Sequence, residues 1–193
     1  MTMRFLDIII SAVLILLTSP IQLFVFIVLV FDVKSPIFVQ KRLGKEKSVF
    51  SLVKFRTMAI GTRNMGTHLV SPSAITKIGS FLRKSKLDEL PQLFNVLLGA
   101  MSLVGPRPNL PNQLELIRER ENRGVYEVRP GITGLAQINK IDMSTPELLA
   151  KTDAKMIKEM TATNYFKFLV LTLLGKGQGD RVKRECFKNC VNE

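Results

Sequence analysis

The sequence predicts a mainly helical α+β fold, in which an N-terminal membrane helix precedes a small domain with a short β-hairpin and several amphipathic helices. Three observations carry this expectation. Residues 5–31 are almost wholly apolar, which exceeds the roughly 20 residues that a bilayer-spanning helix needs. Two short stretches follow, IFVQKR at 37–42 and VFSLVKFR at 49–56, rich in the branched and aromatic residues of strands. Beyond residue 75, apolar residues recur at helical spacing.

Composition narrows the partners. Among 193 residues, 28 Lys and Arg face 16 Asp and Glu, a formal charge of +12. A polyanion is therefore expected: nucleic acid, an anionic lipid surface or a phosphorylated substrate. With no Trp and two Tyr, a base-stacking nucleic-acid surface is disfavoured. Cys186, Cys190 and His68 are the only Cys and His residues, too few for a structural zinc site. They read as two reduced thiols in a tail, which suits a cytoplasmic chain, and one surface imidazole.

In chain order, the apolar run is interrupted by Asp7 and by Ser19-Pro20 at its middle. It is too long for a cleavable signal peptide, and two topologies stay open: a spanning helix, or one that enters and turns back. Pro20 removes the donor for the Leu16 carbonyl, and the Ser19 hydroxyl is expected to bond back to Ile15. Lys34, Lys41, Arg42, Lys45 and Lys47 follow the run, so the domain beyond it is expected on the cytoplasmic side. Gly44 is expected to supply the turn between the two strands. Residues 61–73 are polar and aperiodic, a loop that could act as a mobile lid. Ile78, Phe81 and Leu82 mark a helix over 75–84. Leu90, Leu93, Phe94, Leu97 and Leu98 mark the buried face of the next, with Gly99 as its stop. Residues 111–123 predict a charged helix with Leu114 and Ile117 inward and its Arg and Glu residues solvated. Residues 130–134, PGITG, predict a turn. Ser144-Thr145-Pro146-Glu147 is a capping box opening a helix to about Met160. Tyr165–Leu174 is too short to span; it completes the core or lies at a membrane interface. A basic flexible tail follows.

The chemistry concentrates at residues 83–108. Pro91 fits only the first turn of its helix, so counting back puts Asp88 at the N-cap and Glu89 at the first helical position. The helix dipole favours carboxylates there and keeps them ionised. Arg83, Lys84 and Lys86 lie just upstream, and the stiff Gly105-Pro106-Arg107-Pro108 turn holds one guanidinium in place. This grouping suits phosphate chemistry assisted by a divalent metal. An Asp-Glu pair at a helix start is also common helix punctuation, and that plainer reading stays open beside the first.

Four ordered motifs then carry a family resemblance: Lys54–Met58 (KFRTM), Leu87–Leu93 (LDELPQL), Met101–Pro108 (MSLVGPRP) and Pro130–Gln137 (PGITGLAQ). Together they resemble the bacterial sugar transferase family of small monotopic polyprenyl-phosphate phosphoglycosyl transferases. The resemblance implies a re-entrant membrane helix at 1–34 turning at Ser19 and Pro20, a cytoplasmic catalytic domain at 35–175 with interfacial helices, and a tail at 176–193. It implies transfer of a sugar 1-phosphate from a UDP-sugar to undecaprenyl phosphate at the inner membrane, with release of UMP and no nucleic-acid partner. Carried onto this sequence, Asp88 is the nucleophile, Glu89 assists it, and both face Mg²⁺. Arg107 and Arg83 hold phosphate oxygens. The chain departs from the family where Gln-Val-Asn-Gly-Arg-Asn is common: here residues 137–142 read QINKID, with Lys140 a substitute for the arginine or a surface lysine. That stretch suggests an N-acetylated sugar. Lys47 likewise stands where glycine is usual. A non-covalent transferase using Glu89 as base, and a membrane-tethered basic binding module without chemistry, are the alternatives.

Overall fold

The computed structural model describes residues 2–62 and 72–176. Most of the expected lid loop, with His68, and nearly all of the tail, with Cys186 and Cys190, lie outside the described residues. The elements run α1 (Thr2–Val33), β1 (Ile37–Leu43), β2 (Val49–Phe55), α2 (Lys77–Ser85), a 3₁₀ turn (Leu87–Glu89), α3 (Gln92–Leu97) and β3 (Ser102–Val104). They continue with α4 (Leu114–Glu121), β4 (Gly131–Thr133), α5 (Leu135–Ile138), α6 (Pro146–Lys158) and α7 (Ala162–Leu173). The fold is mixed α/β and mainly helical, with an N-terminal apolar helix and little sheet.

Helix α1 runs through Pro20 as one element. The Leu16 carbonyl that Pro20 leaves without a donor accepts instead from the Ser19 hydroxyl at 2.8 Å, and Thr18 bonds back to Leu14. The expected Ser19–Ile15 bond is thus replaced by one that satisfies the orphaned carbonyl directly. The helix is long and apolar enough to cross a membrane. Both of its ends, however, dock on the domain that follows. Leu6, Ile10 and Leu14 pack on the main core of Leu93, Val96, Met101, Leu103 and Tyr165. Val25, Leu29 and Val33 pack with Phe55 and Leu82. Between these ends Leu16, Leu17, Ile21, Leu23 and Phe24 are exposed.

Asp7 accounts for the first docking. Its Oδ1 accepts from the Tyr165 hydroxyl at 2.8 Å, the Leu103 N–H at 2.9 Å and the Ser102 hydroxyl at 3.0 Å. A carboxylate inside an apolar segment is costly unless hydrogen-bonded, and here one oxygen ties α1 to β3 and α7. Arg4, one turn earlier, donates to the Val96 and Leu97 carbonyls at the C-terminal end of α3.

Strands β1 and β2 form the expected hairpin, antiparallel with Ile37 opposite Phe55 and Leu43 opposite Val49. The turn differs from expectation. Gly44 is extended, and the positive φ angles fall on Glu46 and Lys47, because a 3₁₀ turn at Lys45–Lys47 closes through Ser48 onto the Lys45 carbonyl. Residues 130–134 are not a turn either. Gly131–Thr133 pairs in parallel with β3, and a Cβ at 131 would overlap the Gly105 backbone, so glycine there permits the close approach. In α4 the inward residues are Leu116 and Arg120; Leu114 is exposed. The capping box does not form: Thr145 caps α6 without a side-chain bond, since Ser144 is turned to Asp142.

Helix α3 also departs from the spacing argument. Its buried face is Gln92, Leu93, Asn95 and Val96, while Phe94 is 46% and Leu98 83% exposed. Asn95 completes the edge of β2, donating to the Ser51 carbonyl and accepting from the Val53 N–H. Phe81 of α2 and Phe166, Val170 and Leu173 of α7 are exposed too. These helices therefore keep one apolar face in the core and turn another outward, the expected pattern for helices lying at an interface. Within α7, Tyr165 and Phe168 complete the core.

Replacing Asp7 tests this framework. Asp7→Leu strands three donors in the core, and we expect a loss of about 3 kcal/mol or more. Tyr165→Phe removes one partner only and should cost about 1 kcal/mol. Thermal unfolding in detergent reads the difference; equal melting temperatures for wild type and Asp7→Leu would refute the tie.

Candidate active site

The Pro106-Arg107-Pro108 turn is clamped by two buried arginines. Arg42 of β1 donates to the Pro108 carbonyl at 3.0 Å and also to Gln40. Arg120 of α4 donates to the Arg107 carbonyl at 2.8 Å and to Asn109. Arg120 is 1% exposed and Asp153 of α6 is 0% exposed, and both Nε and Nη2 of Arg120 meet Asp153 Oδ2. The backbone that carries Arg107 is thereby held from two sides. The fully buried Arg120 corrects its expected place on a solvated face.

The clamped turn delivers the Arg107 guanidinium to Glu89, Nη2 to Oε1 at 2.7 Å. Asp88 lies beside it, 8% exposed. Neither carboxylate sits at the N-terminus of α3 as expected. Lys86 adopts a left-handed conformation and ends α2, a single 3₁₀ turn carries Asp88 and Glu89, and Pro91 takes the cap of α3. That tight turn puts the Asp88 side chain inward. Burial, reinforced by the Glu89 charge, pushes the Asp88 carboxyl up to about 7, against the pull of Lys54, Arg83 and Arg107. This reverses the expectation of a fully ionised N-cap carboxylate: the acid holds its proton into the neutral range.

A cavity of about 400 Å³ is lined by Glu89 and Arg107, but not by Asp88. Its wall carries the charged Glu89, Arg107, Lys86, Lys140 and Asp142 and many apolar residues, among them Ile10 and Leu14 from α1 and Leu169 and Leu173 from α7. Burial lowers the Lys86 pKa, opposed by Glu89. The structure thus brings Asp88, Glu89 and Arg107 together and sets the Arg83 charge on Asp88. It places Lys140 on the cavity wall at φ 61, where the family's glycine would adopt that angle freely. Ser19 and Pro20 are exposed on α1, apart from this group.

Among the described residues no three His, Cys, Asp or Glu side chains cluster as a closed metal cage. Two adjacent carboxylates, the buried one carrying a raised pKa, nevertheless suit a cation such as Mg²⁺, which takes one or two carboxylates and completes its shell with phosphate and water.

Glu89 and Arg107 thus share a cavity wall with apolar residues of α1 and α7, and Asp88 is buried in the same turn as Glu89. The chain belongs to the bacterial sugar transferase family, whose profile matches residues 1–176. It is 40% identical over 171 residues to the "uncharacterized sugar transferase EpsL" of Bacillus subtilis (strain 168), covering 88% of this chain and 84% of that protein. It is 42% identical over 138 residues to a UDP-glucose:undecaprenyl-phosphate glucose-1-phosphate transferase of Klebsiella pneumoniae, covering 69% of this chain and 30% of the relative. It is 33% identical over 190 residues to the undecaprenyl-phosphate galactose phosphotransferase of Salmonella typhimurium (strain LT2), covering 88% and 39%. The chain thus spans well under half the length of these last two relatives.

The raised Asp88 pKa sets a direction for stability. In metal-free protein the folded state keeps the Asp88 proton to about pH 7, whereas an unfolded Asp loses it near pH 4. The folded state binds more protons across that window, so the contribution of Asp88 to stability is full below about pH 4 and is lost as pH rises through about 7. Denaturant unfolding in EDTA should show a smaller loss of stability over this range for Asp88→Asn than for wild type. Parallel profiles would refute the buried, protonated state.

Proposed function

We propose that this protein transfers a sugar 1-phosphate from a UDP-sugar to undecaprenyl phosphate, releasing UMP, by way of a phosphosugar intermediate on Asp88. The observation that carries the reading is the cavity itself: the Glu89–Arg107 pair and Lys86 share its wall with apolar residues of α1 and α7, and Asp88 is buried in the same turn as Glu89. A diphosphate suits the charged residues and a polyprenyl chain the apolar ones.

In the first half-reaction an Asp88 carboxylate oxygen attacks the phosphorus bonded to the sugar, forming a P–O bond as the bond to UMP breaks and its electron pair leaves with UMP. In the second, an oxygen of undecaprenyl phosphate attacks the same phosphorus and expels Asp88. Asp88 and Glu89 would hold Mg²⁺, which when bound offsets the charge of the diphosphate. Arg107 orients phosphate oxygens from its clamped turn, and the Arg83 charge favours the ionised form of Asp88. Glu89 is engaged by Arg107, which favours Asp88 over Glu89 as the reacting carboxylate.

The same reading places α1 in one leaflet, bending at Ser19-Pro20, with both ends and the domain on the cytoplasmic face of the bacterial inner membrane. Support comes from the docking of Asp7 and Val33 on one domain while Leu16, Leu17, Ile21, Leu23 and Phe24 between them are exposed. The exposed Phe94 and Leu98 and the outer face of α7 would rest among lipid headgroups.

UMP release from detergent-solubilised protein with Mg²⁺ and undecaprenyl phosphate tests the reaction. The donor panel pairs UDP-glucose and UDP-galactose with UDP-N-acetylglucosamine, since residues 139–142 suggest an N-acetylated sugar. One donor should support release, and Asp88→Asn should lower it by about a thousandfold or more. Labelled sugar phosphate should stay on denatured wild-type protein when the lipid is withheld. Activity of Asp88→Asn close to wild type, or a folded wild type silent across the panel, would overturn the proposal.

A further inference from the structure

Lys86 links the turn that carries Asp88 and Glu89 to the far end of α7. It closes α2 with a left-handed backbone at φ 59, and its Nζ donates to the Lys176 carbonyl at 3.2 Å. That carbonyl is held in place, because Gly175 turns at φ 80 and the Lys176 N–H returns to the Leu171 carbonyl at 2.9 Å. The ammonium therefore stands at a junction. On one side its charged neighbours are Glu89 and Arg107. On the other is the end of α7, where Leu169, Thr172 and Leu173 line the same cavity as Lys86 and where Leu173 and Leu174 are 83% and 74% exposed.

We propose that Lys86 is the contact for the phosphate of the lipid acceptor, holding that monoester where its isoprenoid chain meets the apolar wall. The inference rests on undecaprenyl phosphate being the acceptor. Such a molecule joins a single phosphate group to a long hydrocarbon, so the cation that recognises it must stand where charged and apolar residues adjoin. The donor makes a different demand: its diphosphate must present phosphorus to the buried Asp88, on which the charges of Lys54, Arg83 and Arg107 act. Arg107 is already bound to Glu89 at 2.7 Å, whereas the recorded partner of the Lys86 ammonium is a neutral carbonyl. A phosphate oxygen makes the stronger, charge-assisted bond and replaces such a partner. A compact charge on a flexible four-carbon stem can make that exchange without moving α2 or α7.

The test uses the full chain in detergent, with steady-state kinetics in which undecaprenyl phosphate and the best UDP-sugar donor are varied in turn. Wild type is compared with three variants. Lys86→Met keeps the length and removes the charge; Lys86→Gly removes the side chain and suits the left-handed backbone; Lys86→Arg keeps a cation. The first two should raise KM for undecaprenyl phosphate by about tenfold or more, the effect of one charge-assisted hydrogen bond. Donor KM should change by less than about threefold, and Lys86→Arg should recover most of the loss. If the folded Met and Gly variants keep the lipid KM within about twofold of wild type, or lose as much or more in donor KM, Lys86 does not hold the acceptor and the inference falls while the reaction stands. If wild type transfers nothing to undecaprenyl phosphate from any donor, the reaction falls and takes this contact with it.

Discussion

One buried carboxylate organises this molecule. Asp7 sits in a segment apolar enough to enter a bilayer, and there an ionised side chain would have no partner. Its oxygen finds three donors, from Tyr165, Leu103 and Ser102, and the helix cannot leave the domain without stranding them. Docking has a second effect: Ile10 and Leu14, one and two turns further on, become the wall of the cavity. The N-terminal apolar helix is thus part of the cavity wall and not only an appendage.

The Glu89–Arg107 pair depends on a second kind of constraint. Arg107 is only as well placed as its turn, and that turn is held by carbonyl contacts from Arg42 and Arg120. Arg120 is in turn held by Asp153. A buried ion pair of this sort contributes little net stability, because desolvation offsets attraction, but removing either member leaves a bare charge in the core. Its value here is positional. The parallel pairing of β3 with β4 completes the frame, since Gly105 N–H meets the Thr133 carbonyl and Gly131 N–H meets Pro106 on either side of the turn.

Local features were readable from sequence and distant ones were not. The hairpin, the six-residue helix after Pro91 and the grouping of Asp88, Glu89 and Arg107 follow from alternation, proline chemistry and ordered motifs. The environment of Asp88 is not legible: counting back from Pro91 makes it an ionised N-cap, whereas a left-handed Lys86 turns it into the interior. Phe94 and Leu98 were misread for a related reason, because periodicity marks apolar residues without saying whether protein or lipid covers them. Arg120 and Asp153, 33 positions apart, carry no signal in spacing. Asp7 looked like a mere interruption, although a lone carboxylate in an apolar run is itself a sign that a polar partner waits elsewhere in the chain.

The most direct test of this account asks on which side of the membrane the start of α1 lies. Cysteines would be placed singly at Thr2 and at Ser144, an exposed position near the cavity, in protein whose Cys186 and Cys190 are replaced by Ser. Labelling with a membrane-impermeant thiol reagent, in vesicles of known orientation, then compares the two. If Asp7 ties α1 back onto the domain, both positions react from the same side, and neither reacts from the other. Reaction of the two from opposite sides would mean that α1 spans the bilayer, and a site walled by Ile10 and Leu14 could not exist in the membrane.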